Sequence, residues 1–316
     1  MRIAFVGKGG SGKTTAAAMF SRLLAHRGHP VLAVDADINQ NLGEALGARG
    51  PQPCPLGADL TWLKDHLRGD NPLVASADAM IKTTPPGPGS RMVGLDAHDE
   101  VLARCAATTP DGVRYLVTGE FDEADIGVSC YHSKTGAVEL WLNYLLDGPG
   151  EYVVVDMTAG ADAFASGLFT RFDLTVLVSE PTRRGVGVYH QYAAHAAGRG
   201  VALAVLGNKV DDDADVAYLR EHAGDALLGW LTRSPWVRAA ERGEPHPVAA
   251  LEPANAAVLA DVLAALDARS RDWAAYHRDT VEFHLRNARA WGDRATGVDL
   301  AAQVAPGFVP GAPVPA

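Results

Sequence analysis

The sequence predicts a three-layer α/β fold, in which helices cover both faces of a mostly parallel, doubly wound sheet. Five short apolar runs lack polar alternation, which indicates strands that are buried on both faces. These runs are residues 3–6, 31–34, 152–155, 174–178 and 201–206. Between them lie segments of helical period, such as 16–24 and 138–146, each with its apolar residues on one face. Strands that alternate with helices are typical of βαβ crossovers and a parallel sheet.

The composition predicts a folded chain with one main domain. Its 316 residues suit one large α/β unit, and 47% apolar with 21% charged residues is ordinary for a soluble globular protein. The net charge of -10 argues against nucleic acid and against an anionic membrane as partners. No charged-then-apolar leader and no apolar run of ~20 residues occurs. With only three cysteines, these features predict a cytoplasmic protein.

The main domain is expected to span residues 1–266, with an irregular insertion at about 49–110 that contains a Pro/Gly-rich loop and leaves room for short helices. Residues 267–304 form a predicted helical extension with aromatic residues on one side: Trp273, Tyr276, Phe283 and Trp291. Packing onto the domain and docking of a partner are both open for this extension. Its mixed charges disfavour a membrane anchor. The proline-rich residues 305–316 are predicted to be a disordered tail.

A glycine-rich motif directly follows the first predicted strand and precedes an amphipathic helix. It consists of Gly7, Lys8, Gly9, Gly10, Ser11, Gly12, Lys13, Thr14 and Thr15, and matches the G-x-x-x-x-G-K-[ST] phosphate-binding pattern. The glycines let backbone N–H groups surround phosphates at a helix N-terminus. Lys13 is expected to bind the β and γ phosphates, and the Thr14 hydroxyl to bind Mg²⁺.

Two of the predicted strands run into aspartates. Asp35 and Asp37 follow the second strand, and Asp156 ends the strand that begins at residue 152, with Gly160 four residues later. The carboxyl ends of parallel strands are where α/β sheets bind ligands, so these carboxylates are candidates for the same site as the glycine-rich loop. Capping of a strand end or a following helix is the alternative for each aspartate.

The loop resembles the deviant Walker A box of the MinD/ParA-type P-loop ATPase superfamily, because Lys8 adds a lysine that the general pattern does not require. This superfamily includes the nitrogenase iron protein, the arsenite-pump ATPases and the CooC-type nickel-insertion ATPases of carbon monoxide dehydrogenase, which the chain most resembles. The resemblance implies a P-loop NTPase fold, ATP and Mg²⁺ as cofactors, and a homodimer in which Lys8 reaches the partner's nucleotide. A solvated surface lysine is the alternative for Lys8.

The segments around Asp37 and Asp156 resemble the two switches of the superfamily. The resemblance implies that Asp37 orients the attacking water, so Lys8, Lys13 and Asp37 are the expected catalytic residues. It also implies that Asp35 and Asp156 support Mg²⁺ and that the backbone N–H of Gly160 senses the γ phosphate. The family often has proline after the first switch aspartate, where this chain has Ile38.

Asn208, Lys209, Val210 and Asp211 follow a further apolar run and resemble the N-K-x-D base-reading motif of GTPases. In the CooC-type and arsenite-pump relatives the asparagine contacts adenine instead. Asp211 begins an acidic run that is typical of a helix start, which disfavours a guanine clamp. We therefore expect Asn208 to read adenine, and a GTPase is the alternative.

Cys130 and His132 lie where CooC-type ATPases have a Cys-x-Cys pair. Two such pairs in a homodimer would supply an S₂N₂ ligand set for Zn²⁺ or Ni²⁺. The alternative is a buried thiol beside a surface imidazole.

The leading hypothesis is a dimeric ATPase switch that serves metal insertion or maturation of an unidentified client protein. The rivals are a MinD/ParA-like spatial organiser or regulatory adaptor, and a GTPase.

Overall fold

The computed structural model describes residues 1–37, 39–96, 98–119, 132–158, 160, 164, 167–244 and 246–311, except for the side chains of residues 132–134. These residues form one sheet with the strand order β3-β4-β2-β5-β1-β6-β7-β8. The strands are β1 (Arg2–Gly7), β2 (Val31–Ala36), β3 (Ala107–Thr108), β4 (Arg114–Val117), β5 (Tyr152–Met157), β6 (Leu174–Ser179), β7 (Leu203–Val210) and β8 (Leu227–Thr232). Only β3 pairs antiparallel, with β4.

The sheet confirms the predicted mostly parallel, doubly wound architecture. Each of the five apolar runs becomes a strand, although the fifth begins at Leu203 instead of residue 201. The sequence reading missed β3, β4 and β8. The first two are only two and four residues long, and β8 contains Gly229 and is partly exposed. Short or half-exposed strands show weak periodicity in the sequence. Whether they form depends on pairing with a neighbouring strand.

Helices cover both faces of the sheet, and alternate residues of each strand contact the two layers. Ala4 and Val6 face one apolar cluster, whereas Ile3 and Phe5 face the other. The first layer contains α3 (Leu60–Arg68), α4 (Glu100–Cys105), α5 (His132–Tyr144) and α6 (Arg183–Ala196), with α7 (Asp213–Ala223) beside α6. The second contains α1 (Lys13–His26), α2 (Leu42–Ala45), α8 (Pro235–Glu241) and α9 (Pro253–Asp267). The three-layer prediction is therefore confirmed.

The insertion is more ordered than its weak periodicity indicates. It contains α3, α4 and short 3-10 turns at Leu56–Asp59 and Ala77–Ala79. The side chain of Asp59 caps α3 by accepting a hydrogen bond from the Trp62 N–H. Its Pro/Gly-rich loop packs inward, where the Pro85 carbonyl accepts a hydrogen bond from the Tyr144 hydroxyl.

The C-terminal extension packs onto the main domain through α10 (Trp273–Asn287), a π-helical turn (Ala288–Gly292) and α11 (Asp293–Thr296). Tyr276 is buried and donates its hydroxyl proton to the Leu142 carbonyl at 2.6 Å. The sequence predicts disorder from residue 305, but Ala305 is buried and the Phe308 ring contacts His277. Residues 312–316 lie outside the described part of the chain. None of the described helices is long and apolar enough to cross a membrane.

Candidate functional site

The glycine-rich loop connects β1 to α1 at the carboxyl edge of the sheet. Gly7 ends the strand, and a Cβ atom there would lie 2.6 Å from the Val178 carbonyl oxygen. Gly12 precedes the helix with a φ of 92°, and a Cβ atom there would overlap the Asn208 carboxamide. Glycine tolerates both the positive φ and this close approach, so it lets the loop backbone pass directly beside the end of β7.

Two side chains at the end of β7 hold the loop from outside. The Asn208 Nδ2 donates a hydrogen bond to the Ser11 carbonyl at 2.7 Å. The Lys209 Nζ donates to the Gly10 carbonyl at 2.7 Å and forms an ion pair with Glu180 at 2.7 Å. Lys209 does so from a left-handed backbone with a φ of 58°, an unusual conformation for a residue with a side chain. Asn208 thus lies against the loop, and its contact with adenine stays a prediction.

Lys13 extends from the start of α1 into a group of three carboxylates. Its Nζ lies 2.7 Å from Asp37 Oδ2 and 3.8 Å from Asp156 Oδ1, and all three side chains are buried. Burial by itself lowers the pKa of Lys13, but the carboxylates of Asp156, Asp37 and Asp35 outweigh it, and the pKa is raised. Since one ammonium faces three carboxylates, the site retains an excess of negative charge that a divalent cation can neutralise.

Thr14 and Asp156 form a direct pair beside Lys13. The Thr14 hydroxyl donates to Asp156 Oδ2 at 2.6 Å. Asp156 Oδ1 is buried and has no hydrogen-bond partner among the described residues, and burial raises the pKa of this carboxyl to about 7. A hydroxyl and a carboxylate with an oxygen left over are the hard oxygen ligands that Mg²⁺ prefers. These residues therefore fit the predicted magnesium ion.

Asp35 has a different environment, although it lies in register with Asp156 on the neighbouring strand. Its Oδ1 accepts the Asp37 N–H at 3.1 Å, and its Oδ2 accepts the Leu42 N–H at 2.8 Å. Burial raises the pKa of Asp35 to about 6. Because both oxygens already accept backbone hydrogen bonds, Asp35 holds the turn that carries Asp37 and the start of α2. Its support of Mg²⁺ stays a prediction.

The remaining predicted site residues are less constrained. Lys8 is half-exposed on the loop, where its backbone carbonyl accepts a hydrogen bond from the Ser11 N–H, and its ammonium makes no hydrogen bond or ion pair with any residue that the structure describes. Gly160 has a φ of 76°. Cys130 lies outside the described residues, and His132 is described only as the first residue of α5. Within the described ranges, no three His, Cys, Asp or Glu side chains form a metal-ligand cluster by themselves, and the predicted Mg²⁺ ligands are one hydroxyl and one carboxylate.

A cleft of about 600 Å³ extends from the loop to α8 and contains residues that the sequence reading missed. They come from the end of β8 and from α8, and include Leu231, Thr232, Arg233, Ser234, Trp236 and Val237. Ser234 caps α8 by accepting the Val237 N–H, and Pro235 occupies the first turn. A Ser-Pro pair after an apolar run is a helix-start signal that could have located this wall.

The fold and the site define a P-loop nucleotide hydrolase: a glycine-rich loop follows the central strand, its lysine faces carboxylates, and its threonine pairs with an aspartate at a strand end. The family model of the CobQ/CobB/MinD/ParA nucleotide binding domain, CbiA, matches residues 3–246, and the chain belongs to this family. It is therefore an ATPase of the MinD/ParA type, as the loop predicts.

Curated relatives and solved structures agree with this assignment. The carbon monoxide dehydrogenase accessory protein CooC of Rhodospirillum rubrum is 29% identical over 244 residues, which are 77% of this chain and 87% of that protein. An uncharacterized ATP-binding protein of Methanocaldococcus jannaschii is 27% identical over 237 residues, 73% of this chain and 84% of its own.

Two solved structures share the fold. The cell division ATPase MinD of Pyrococcus furiosus matches with a TM-score of 0.57 and 18% identity, over 84% of this chain and 98% of that one. A ParA family ATPase from Chlorobium tepidum matches with a TM-score of 0.58 and 14% identity, over 83% of this chain and 97% of that one. At this level of identity the two matches establish the architecture alone.

Proposed function

We propose that the chain is a Mg²⁺-dependent ATPase that works as a homodimeric switch in the maturation of a client enzyme. The observation that carries this proposal is the 2.7 Å ion pair between Lys13 and Asp37. The loop lysine that is expected to bind phosphate is the partner of the carboxylate that is expected to position water. A nucleotide that draws Lys13 to its phosphates weakens this pair and leaves Asp37 available for the attacking water.

Magnesium binding follows from the Thr14 and Asp156 pair. When Mg²⁺ is bound, it supplies positive charge to the phosphates of the nucleotide. Thr14 and the buried Oδ1 of Asp156 are the protein groups that would hold this ion or its water shell. Lys13 adds a second positive charge beside them, and the loop backbone offers N–H groups to the phosphate oxygens.

The residues around the cleft favour adenine over guanine as the base of the nucleotide. Asp211, the residue that would read guanine, pairs with Arg233 through contacts of 2.7 and 3.1 Å and does not line the cleft. Its neighbour Asp212 caps α7 instead. In a competition titration with a fluorescent ATP analogue, ATP should displace the analogue at a lower concentration than GTP. Equal or tighter binding of GTP would make the chain a GTPase.

A homodimer is supported by the Lys8 side chain, which is half-exposed and has no hydrogen bond or ion pair with a described residue. We expect ATP, but not ADP, to convert monomer to dimer in sedimentation velocity. Lys8→Ala and Asp37→Ala should retain ATP binding and lose most hydrolysis, and Asp37→Ala should accumulate as the ATP-bound dimer. If both variants hydrolysed ATP at the wild-type rate, or if either failed to bind it, these roles would be wrong.

The role in enzyme maturation rests on the similarity to CooC, an accessory protein of carbon monoxide dehydrogenase. The spatial-organiser alternative rests on structural neighbours such as MinD, whose identity of 18% supports only the fold. Maturation is therefore the better supported of the two. If the client enzyme contains a metal, that metal is cargo for this chain and not its resident cofactor.

A further inference from the structure

A second cavity lies where the insertion meets the C-terminal extension. It has a volume of about 460 Å³ and lies between α3, the segment after Ala77–Ala79, α5 and the π-helical turn. Its lining includes Leu60, Lys64, Met80, Lys82, Leu140 and Trp291. A cavity of this volume is within the range of about 300–1,000 Å³ that is typical of small-molecule sites. No described residue of the insertion or of the extension lines the nucleotide cleft.

The extension provides an apolar wall. The Trp291 indole N–H donates to Asn287 Oδ1 at 2.9 Å, and the Asn287 amide donates to the Phe283 carbonyl at 2.8 Å. The Thr296 hydroxyl donates to the Gly292 carbonyl at 2.9 Å. Because these polar groups already have partners within the extension, the wall offers the cavity mainly the surface of Trp291, which is 40% exposed.

The insertion provides two cations, and their environments differ. Lys82 lies against α5, where Gly136 leaves room for its stem, and its Nζ is 3.7 Å from the buried Glu139 carboxylate. The Lys64 ammonium, on α3, has no hydrogen bond or close ion pair among the described residues. Burial lowers the pKa of Lys64, and the charge of the exposed Asp78, which also lines the cavity but makes no close ion pair with Lys64, opposes this effect. Lys64 is therefore the cation that gains most from a new anionic partner.

The distribution of lysine in the chain singles out this cavity. The 28 basic residues include only six lysines. Lys8, Lys13 and Lys209 lie on or against the phosphate loop. Lys64 and Lys82 line the cavity, and the sixth, Lys134, has a side chain outside the described part of the structure. Of the five lysines with described side chains, Lys13 and Lys209 line the nucleotide cleft and Lys64 and Lys82 line this cavity, whereas Lys8 lies on the loop. A compact ammonium suits single-point contact with an anion.

We propose that this cavity is a binding site for a small organic anion, an acid whose apolar or aromatic body lies against Leu60, Leu140 and Trp291 while its charged group binds Lys64. Apolar walls with one or two converging charges are the usual composition of such sites. The anion supplies Lys64 with a close negative partner that none of the described residues provides. The site is separate from the nucleotide cleft, since the two cavities have no lining residue in common.

The probe for this site is 8-anilinonaphthalene-1-sulfonate, an aromatic anion whose fluorescence rises in apolar surroundings. It is titrated into the full-length protein with saturating ADP and Mg²⁺, which keep it out of the nucleotide cleft. We expect one saturable site per chain. Lys64→Met keeps the aliphatic stem and removes the charge, and should weaken binding about tenfold, as expected for a lost charge-assisted contact. Trp291→Ala should weaken it as well.

The matched control is Arg68→Met, which removes a positive charge from the same helix, α3, at a residue that pairs with Asp65 outside the cavity. This variant should bind the probe like wild type. The neutral analogue N-phenyl-1-naphthylamine should bind more weakly than the sulfonate. Equal effects of Lys64→Met and Arg68→Met, equal affinity for the two probes, or binding that does not saturate would each overturn the proposal. Thermal unfolding midpoints verify that the variants are folded.

Discussion

Lys13 has a charge that burial alone would disfavour, and its neighbours reverse that effect. The ammonium is held by Asp37 at 2.7 Å and lies 3.8 Å from Asp156. The raised pKa of Lys13 follows from these carboxylates, so the residue is cationic at neutral pH. A buried, permanently charged ammonium at a helix N-terminus is well placed to bind phosphate, and the same charge keeps the carboxylates together.

At the scale of single residues, we predict that Lys13→Ala abolishes measurable ATP binding. The phosphates lose a charge-assisted contact of ~1.5–3 kcal/mol, and the carboxylates that remain repel them. Isothermal titration calorimetry with ATP and Mg²⁺ measures the affinity. Lys64→Ala, which removes a lysine from the other cavity, is the matched control and should bind ATP like wild type. Unchanged ATP affinity in Lys13→Ala would contradict the site assignment.

The elements that join the C-terminal extension to the domain meet in a cluster of buried charges. Arg271, just before α10, contacts Asp147 and Asp173 at 2.5 Å each. Arg2 of β1 contacts the same Asp147 at 2.7 Å. Burial alone would raise the pKa of Asp147, but Arg2 and Arg271 outweigh it and hold the pKa well below its usual range. The extension is thereby fixed to the first strand of the sheet.

For this element we predict that Arg271→Met lowers the free energy of unfolding by about 3 kcal/mol, because two buried carboxylates lose a partner. Arg286→Met on α10 removes a half-exposed pair with Glu282 and should cost less than about 1 kcal/mol. Urea denaturation measures both. Equal losses in the two variants would mean that the buried cluster does not anchor the extension.

The same cluster predicts a pH dependence. The folded pKa of Asp147 is depressed, so its contribution to stability is fully present above its unfolded pKa of about 3.9 and is lost as the pH falls below that value. The difference in unfolding free energy between wild type and Arg271→Met should therefore shrink as the pH falls below about 4. A difference that stayed constant from pH 7 to pH 3 would exclude Asp147 as its source.

For the whole molecule, the proposed homodimer would bring two copies of Cys130 and His132 to its axis. Cys130 lies outside the described residues and His132 lies at their edge, so the pairing stays a prediction from the sequence. One residue between two ligands lets both side chains reach a common ion, and the second chain completes a tetrahedral set. ATP and metal would then both join the two chains, so each should tighten the binding of the other by the same factor.

We predict one Zn²⁺ or Ni²⁺ ion per two chains in the wild-type protein. Cys130→Ser and His132→Ala should each lose it, whereas Cys54→Ser, which changes an exposed free thiol, should retain it. Affinity should fall as the pH drops through the titration of histidine, because binding needs a thiolate and a neutral imidazole. Elemental analysis with and without ATP measures the stoichiometry. A metal-free dimer would remove this site and favour the spatial organiser.

The sequence by itself determined the class of fold and the chemistry of the phosphate site. Buried parallel strands need continuous apolar runs, and a phosphate loop needs glycines, a lysine and a hydroxyl at fixed spacing, so both leave local signals. The five apolar runs and the motif from Gly7 to Thr15 therefore located the central sheet and the loop. The sequence also assigned the strand-end aspartates to the same site, because the carboxyl ends of parallel strands meet at one edge of the sheet.

Only the tertiary structure decided how side chains that are distant in sequence share their partners. Asp156 accepts a hydrogen bond from Thr14, and Asn208 holds the loop at Ser11. The wall of the nucleotide cleft at β8 and α8, and the cavity between Lys64 and Trp291, join segments that are far apart along the chain. Periodicity and motif spacing report on neighbours within a few turns. Contacts between remote segments depend on how the helices pack on the sheet, and only the folded chain contains that information.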